Sequence, residues 1–303
     1  MSLEKLKNIL LLLLLAAFAA ALIAAPAEAS DAARQGLALC LQTVLPSLFP
    51  FFVLSSLVVA SGVGDGFGRA LAPVMRPLFG VSGTGAAALA LGLVGGYPVG
   101  ARTAAELYRG GALSKAEAER LLAFCSNAGP GFILGVCGTA VLHSARAGLY
   151  LYLIHVAAAV LTGVMLRRLS PVENAPACPL RRTQGQSLAF PAAVRDSFAA
   201  AWSVCGFVVI FAVVLRYVTL LLPGQPLLVG FLELTNGVLS LRADRGGFVL
   251  CAVFLGWGGL SVHAQTLSVL EGSGLSPRLY FPGKAMQAAL SAPLAWLVSS
   301  LLY

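Results

Sequence analysis

Residues 95–131 read GGYPVGARTAAELYRGGALSKAEAERLLAFCSNAGPG, and a shorter echo, GGLSVHAQTLSVLEGSGLS, occupies residues 258–276. In both stretches glycines, prolines and polar groups interrupt apolar runs, and each interruption frees backbone amides and carbonyls that an unbroken helix would pair. In a bilayer such breaks survive only inside protein or beside a water-filled cavity, and paired interrupted helices surround the solute site in many transporters. These two stretches set the expectation for fold and function.

The surrounding composition fixes the setting. A chain of 303 residues that is 58% hydrophobic and 11% charged, with a mean hydropathy of +0.88, carries more apolar surface than a soluble domain buries. The expected class is all-α, a polytopic membrane protein whose first partner is the lipid bilayer. The net charge of +8 comes from arginines in short loops between apolar runs, so topology and anionic headgroups account for it. No basic patch with interleaved aromatics appears, which argues against a nucleic-acid partner. The six cysteines have no metal or redox spacing, and all but Cys178 sit in apolar or small-residue runs as packing residues. No GxSxG, HExxH or Walker loop occurs, so no enzyme, cofactor or metal site is expected.

Working outward, Lys5 and Lys7 precede the apolar run 9–25, and AEAS at 27–30 has the look of a signal-peptidase site. Residues 1–30 are read as a retained transmembrane helix, with a cleaved leader as the alternative. A second span covers 37–60 and contains Pro46 and Pro50. ALAPVMRPLFG at 70–80 is too short and too broken to span and reads as interfacial or re-entrant. The run 83–100 unwinds near its end, and 102–120 reads as an amphipathic segment whose Glu106, Arg109, Lys115, Glu117, Glu119 and Arg120 mark an exposed face. Ser114 with Glu117 has capping-box spacing. That helix stops at SNAGPG (126–131), and a short apolar helix, 132–142, follows as a re-entrant pair or a broken span.

After a clean span at 147–166 comes an arginine-rich loop, 167–197, which the positive-inside rule places in the cytoplasm. It divides the chain into a first repeat, 31–166, and a second, shorter one, 198–303. The second contains a span at 198–222, the interrupted LLVGFLELTNGVLSL (227–241), an apolar run 248–263 and a final span, 283–302. An offset of 163 residues superposes Gly95, Gly96, Val99, Ala101, Thr103, Leu107 and Gly111 on Gly258, Gly259, Val262, Ala264, Thr266, Leu270 and Gly274, seven identities in seventeen positions. If 9–25, 37–60, 83–100 and 147–166 all cross, the two copies start on opposite sides. Two inverted-topology repeats are therefore expected.

Candidate solute-binding residues lie at the breaks: Gly95, Gly96, Tyr97, Pro98, Gly100, Arg102 and Thr103; Ser126, Asn127, Gly129 and Gly131; and Gly258, Gly259, Ser261, His263, Gln265 and Thr266. The competing reading is that the glycines permit close helix packing and the polar side chains satisfy broken backbone. Glu233, flanked by Thr235 and Asn236, is the sharpest single position, since a carboxylate at membrane depth costs about 2.5–3.5 kcal/mol on insertion scales. It reads as a coupling carboxylate for a cation or proton, as a solute acceptor, or as a structural partner of Arg76 or Arg216. His143 and His155 read as interfacial or packing histidines.

Taken together, LPSLFPFFVLSSLVV, GLVGGYPVGARTAAEL, ERLLAFCSNAGPGFILG, LELTNGV and GWGGLSVHAQTLSVL with YFPGK resemble the YlbJ-type sporulation integral membrane proteins of endospore-forming Firmicutes. That family belongs to the nucleoside-recognition, or Gate, group. The resemblance spans about 36–303 and implies a role in forming the spore and its cortex. It also implies a fold distantly like concentrative nucleoside transporters. The expected function is to bind or move a small polar solute, a nucleoside-like one among the options, between two inverted halves in the cytoplasmic membrane, with a coupling cation and a homo-oligomer both left open. The alternative is a non-transporting membrane scaffold for spore-envelope assembly.

Overall fold

The computed structural model describes residues 3–61, 63–169 and 190–303. Within them every regular element is helical. Glu173, Cys178, Arg181 and Arg182 of the arginine-rich loop lie outside the described residues.

Helix α1 (Leu3–Ala24) exposes its leucine faces, as in Leu12 and Leu13, and turns by 100° into α2 (Pro26–Leu39). Pro26 opens α2 at the first turn, where a missing N–H costs nothing. The AEAS stretch at 27–30 is therefore helical. Through a π-helical turn, Cys40–Val44, α2 continues into α3 (Leu45–Ser61). The amphipathic α4 (Val63–Phe79) meets α5 (Ala86–Gly95) at 91°, the geometry of a re-entrant or broken pair. Then follow α6 (Val99–Arg109), α7 (Lys115–Cys125), a π-helical segment Gly131–Val141, and α8 (Ala145–Leu169). Beyond the loop come α9 (Phe190–Leu221), α10 (Pro226–Leu232), α11 (Leu234–Leu239), α12 (Arg245–Trp257), α13 (Gly259–Leu270) and α14 (Tyr280–Ser299).

Three stretches among the described residues are long and apolar enough to cross a membrane: 145–169, 190–221 and 245–270, the last being α12 and α13 together; each bent pair adds one more if it is a single span. The expected span 83–100 is not one straight helix. It stops at Gly95 because Gly96 takes a left-handed φ of 86°, which an L side chain adopts only under strain. The final helix, α14, is 20 residues long, about 30 Å, yet it is not a plain apolar span. Gly283 on α14 abuts Ala123 of α7, Gly256 of α12 abuts Ala288, and α14 also packs on α8. It is a core helix.

The expected exposed face of 102–120 is largely buried. Only Arg109 and Lys115 of its named charges are exposed, while Arg102 and Arg120 are 7% and 1% exposed. The carboxylates have been drawn inward to accept backbone amides. Glu117 accepts from Ser82 N at 2.7 Å and, in the capping box that the spacing predicts, from Ser114 N at 2.9 Å. Glu119 accepts from Ser276 N at 2.8 Å, 157 residues away.

The two stretches aligned in the sequence both break at their glycine pair. Gly96, Gly258 and Gly259 all have positive φ, and the turns that follow α6 and α13 each contain a glycine at φ 74°, Gly111 and Gly274. Helices α6 and α13 pack against one another, and Arg109 donates to the Glu271 carbonyl at 3.3 Å.

Candidate functional site at the junction of the broken helices

Four interruptions meet in space. A Cβ placed on Gly96 would lie 3.0 Å from Gly129 N, which joins GGYPVG to SNAGPG. Tyr97, 8% exposed, donates its hydroxyl to the Leu255 carbonyl at 2.8 Å, and a Cβ on Gly258 would stand 3.4 Å from that hydroxyl oxygen. Gly259 in turn approaches Leu234 N and Glu233 Cα, at 3.0 and 3.3 Å from its Cβ position. The sequence SNAGPG, GGYPVG, GWGG, LELTN is thus a continuous chain of contacts, backbone to backbone except at the Tyr97 side chain. The glycines make it possible, for a Cβ on Gly92 or Gly100 would collide with the Cys125 carbonyl oxygen. At these positions the close-packing role read from the sequence is visible directly.

One side of the junction is a buried polar cluster. Lys284 of α14, fully buried, donates to the Ser126 carbonyl at 2.8 Å and to Gln287 Oε1 at 2.6 Å, with its nitrogen 5.2 Å from the centre of the Tyr97 ring. Gln287 donates onward to Asn127 Oδ1 at 3.0 Å, and Asn127 Nδ2 donates to the Phe124 carbonyl at 2.8 Å. His155 Nε2 accepts from Ala128 N at 3.0 Å, so this histidine satisfies an amide freed by the break. It does more than pack in a span. Nearby on α13, His263 Nδ1 pairs with Tyr280 OH at 2.8 Å, and the same hydroxyl reaches Thr266 Oγ1 at 3.2 Å. Buried Gln265 donates to Ser261 at 3.3 Å.

This cluster still has unused hydrogen-bonding capacity. Ser126 Oγ, His155 Nδ1 and His263 Nε2 are buried with no hydrogen-bond partner among the described residues. Buried polar atoms are nearly always paired, so these three unpartnered atoms single out the junction as the candidate site.

Other predicted residues fall elsewhere. Arg102 pairs with Glu106 at 2.8 Å, lies over the Phe52 ring and joins Ser56; Thr103 bonds Ser55 at 2.6 Å. Those contacts fasten α6 to α3. Pro98 caps the start of α6, Gly95 packs on Phe51, and Gly131 is exposed with open space around it. Glu233 is partly exposed and caps α11, accepting from Thr235 N at 3.0 Å, Asn236 N at 2.8 Å and Asn236 Nδ2 at 2.7 Å. Three donors at a helix N-terminus explain how a carboxylate is tolerated there. Arg216, one structural partner weighed for it, pairs instead with Glu28 at 2.6 Å. The charged side chain buried at the junction is Lys284, which the sequence reading did not single out although YFPGK was among the family motifs. Its signal was a lysine and a glutamine three apart, Lys284 and Gln287, in a terminal run otherwise apolar.

Beside the Glu233 break lies a cavity of about 530 Å³ between α2, α9, α10 and α11. Gln35, Arg216, Thr219, Gln225, Asn236 and Ser240 supply its polar lining.

The family model Gate, described as nucleoside recognition, matches residues 41–166. This segment contains the first GG break, SNAGPG, His155 and most of α8. The chain is also similar along its whole length to the sporulation integral membrane protein YlbJ of Bacillus subtilis (strain 168), at 27% identity over 353 aligned positions and 85% of that protein. Both comparisons fall on the family that the motifs resemble. No solved structure matches this chain. The Gate match ends at the close of α8, so Lys284, Gln287 and the GWGG break belong to the part of the chain that completes the junction from outside it. The all-helical, multi-pass membrane architecture agrees with that of a sporulation membrane protein.

Proposed function

We propose that this protein binds or moves a small polar solute at the junction of its broken helices, as a transporter-like component of endospore formation in the cytoplasmic membrane. The observation that carries the reading is the meeting of four helix interruptions around buried, unpartnered hydrogen-bonding atoms. Exposed amides and carbonyls at half-helix ends recognise polar solutes without a charged ligand set. The 530 Å³ cavity against α10 and α11 supports an approach to the junction from the side of the Gln225 turn. The aligned breaks and matching glycine turns support two related halves in opposite orientation. The Gate description and the relative's name agree with the solute class and the sporulation role. No metal or enzymatic step is part of this proposal.

The test is uptake or binding by the purified full chain in proteoliposomes, against nucleosides, amino acids and cell-wall precursors. Saturable uptake of one class, lost in Asn127→Ala and Ser126→Ala at unchanged protein level, is the expected result. No binding to any class would overturn it.

A second reading, a non-transporting scaffold for spore-envelope assembly, draws on the closeness of the packing, in which Gly92 and Gly100 clasp a carbonyl oxygen. Sporulation complementation separates the two. A scaffold that folds tolerates Ser126→Ala with Asn127→Ala, whereas a solute-binding protein loses function.

A further inference from the structure

Helix α7 ends abruptly at Cys125, because Ser126 leaves the helical region at φ −90° and ψ 105°. The last carbonyls of a helix carry partial negative charge and have no amide to accept from. At this end Ser126 O, Gln287 Oε1 and the face of the Tyr97 ring converge on one point, a constellation of hard oxygens and a π face that suits a monovalent cation. The point is occupied by Lys284 Nζ. Two of its three N–H groups go to the two oxygens at 2.8 and 2.6 Å, and the nitrogen stands 5.2 Å from the ring centre. No carboxylate among the described residues lies in ion-pair range of it. The packing is arranged for this reach: Gly283 lets α14 touch Ala123 of α7, so the next side chain enters the break directly. Lys284 and Gln287 are both fully buried.

We propose that the α7 break is a monovalent-cation site filled by the chain's own tethered ammonium, Lys284, so that no dissolved cation is needed there. The inference stands on the α7–α14 contact alone and holds whether or not a solute is moved. It assigns to Lys284 the place that a coupling ion would hold at a broken membrane helix, and it makes the ammonium a clamp between the two copies. Removing the side chain should convert a built-in cation into a requirement for a soluble one.

The experiment is thermal unfolding of the purified full chain in detergent, with and without methylammonium chloride, against equal concentrations of sodium chloride and tetramethylammonium chloride. Lys284→Ala is expected to have a lowered Tm that methylammonium raises by about 3 °C or more, while tetramethylammonium, too large for the vacancy, does not. A comparable rise with sodium chloride also supports a cation site, provided the wild type does not share it. Wild type and Lys284→Met, in which the point stays filled, should not respond. An unresponsive Ala variant, or an equal response in all three proteins, overturns the proposal. If the Ala variant does not fold, Gln287 serves instead. With a resident ammonium, Gln287→Glu keeps an acceptor for it and, although it gives up the donor to Asn127 Oδ1, loses less Tm than Gln287→Leu, which gives up both. A Glu variant that falls as far as the Leu variant overturns the proposal as well. Failed uptake across the solute panel together with a methylammonium response would remove the transport reading and leave this one standing.

Discussion

At the junction, single atoms decide what a residue is for. The Cys125 carbonyl oxygen sits between Gly92 and Gly100, where a methyl group on either would collide with it. Gly92→Ala and Gly100→Ala are therefore expected to destabilise the protein by about 1–3 kcal/mol, the usual cost of overpacking, while Gly135→Ala, with open space at its Cβ position, stays near neutral. Thermal unfolding of the three variants side by side checks this, and equal behaviour would remove the close-packing account. Asn127 is a linker of a different kind, since its amide donates back to Phe124 O while its oxygen accepts from Gln287. Asn127→Asp keeps the acceptor and loses the donor, so the Phe124 carbonyl is left buried and unpaired at a cost of about 1–3 kcal/mol. These roles explain why the polar residues of the breaks were legible as candidates but not as individuals. A sequence shows that a polar group stands where a helix fails, and only the partner atom shows whether it serves the backbone or remains free.

At the scale of elements, the start of α7 follows from four residues. Ser114 and Glu117 form the capping box, and Glu117 also fastens Ser82 N at the foot of α5. Ser114→Ala is expected to cost about 1 kcal/mol, and Glu117→Ala more, because it frees the Ser82 amide as well. A denaturation series in which Ser114→Ala is the costlier variant would contradict this assignment. The half-helices α10 and α11, the break at Gly258 and the stop at SNAGPG were all readable from breakers in apolar runs. The exposure of 102–120 was misread, and the break at the end of 83–100 was read without the 91° bend between α4 and α5. Breaker patterns locate helix ends without giving the angle between helices, and a charge on a helix counts as solvated until the amide it accepts from is known. Glu117 and Glu119 find theirs at Ser82 and Ser276, one nearby in the chain and one 157 residues away.

At the scale of the molecule, topology is the most direct prediction. Helix α9 is 32 residues long, about 48 Å, enough to cross a bilayer with turns to spare. The loop before it and the Gln225 turn after it must then lie on opposite faces. In a cysteine-free background, Gln184→Cys is expected to react with an impermeant maleimide only from the cytoplasmic side and Gln225→Cys only from the other; labelling of both from one side would refute the crossing. The composition, the breaks, the capping box and the family motifs were determined by the sequence alone, because hydropathy, helix termination and local capping act over a few consecutive residues. What only the tertiary structure decided is which breaks meet. It also decided that Glu233 spends its charge on its own helix while Lys284 is the basic side chain that enters the junction, and that His155 and Gln287 complete the cluster. Those assignments depend on contacts such as Lys284 to Ser126, 158 residues apart. Chain separation of that order leaves no local signature, and the fold alone sets the distance.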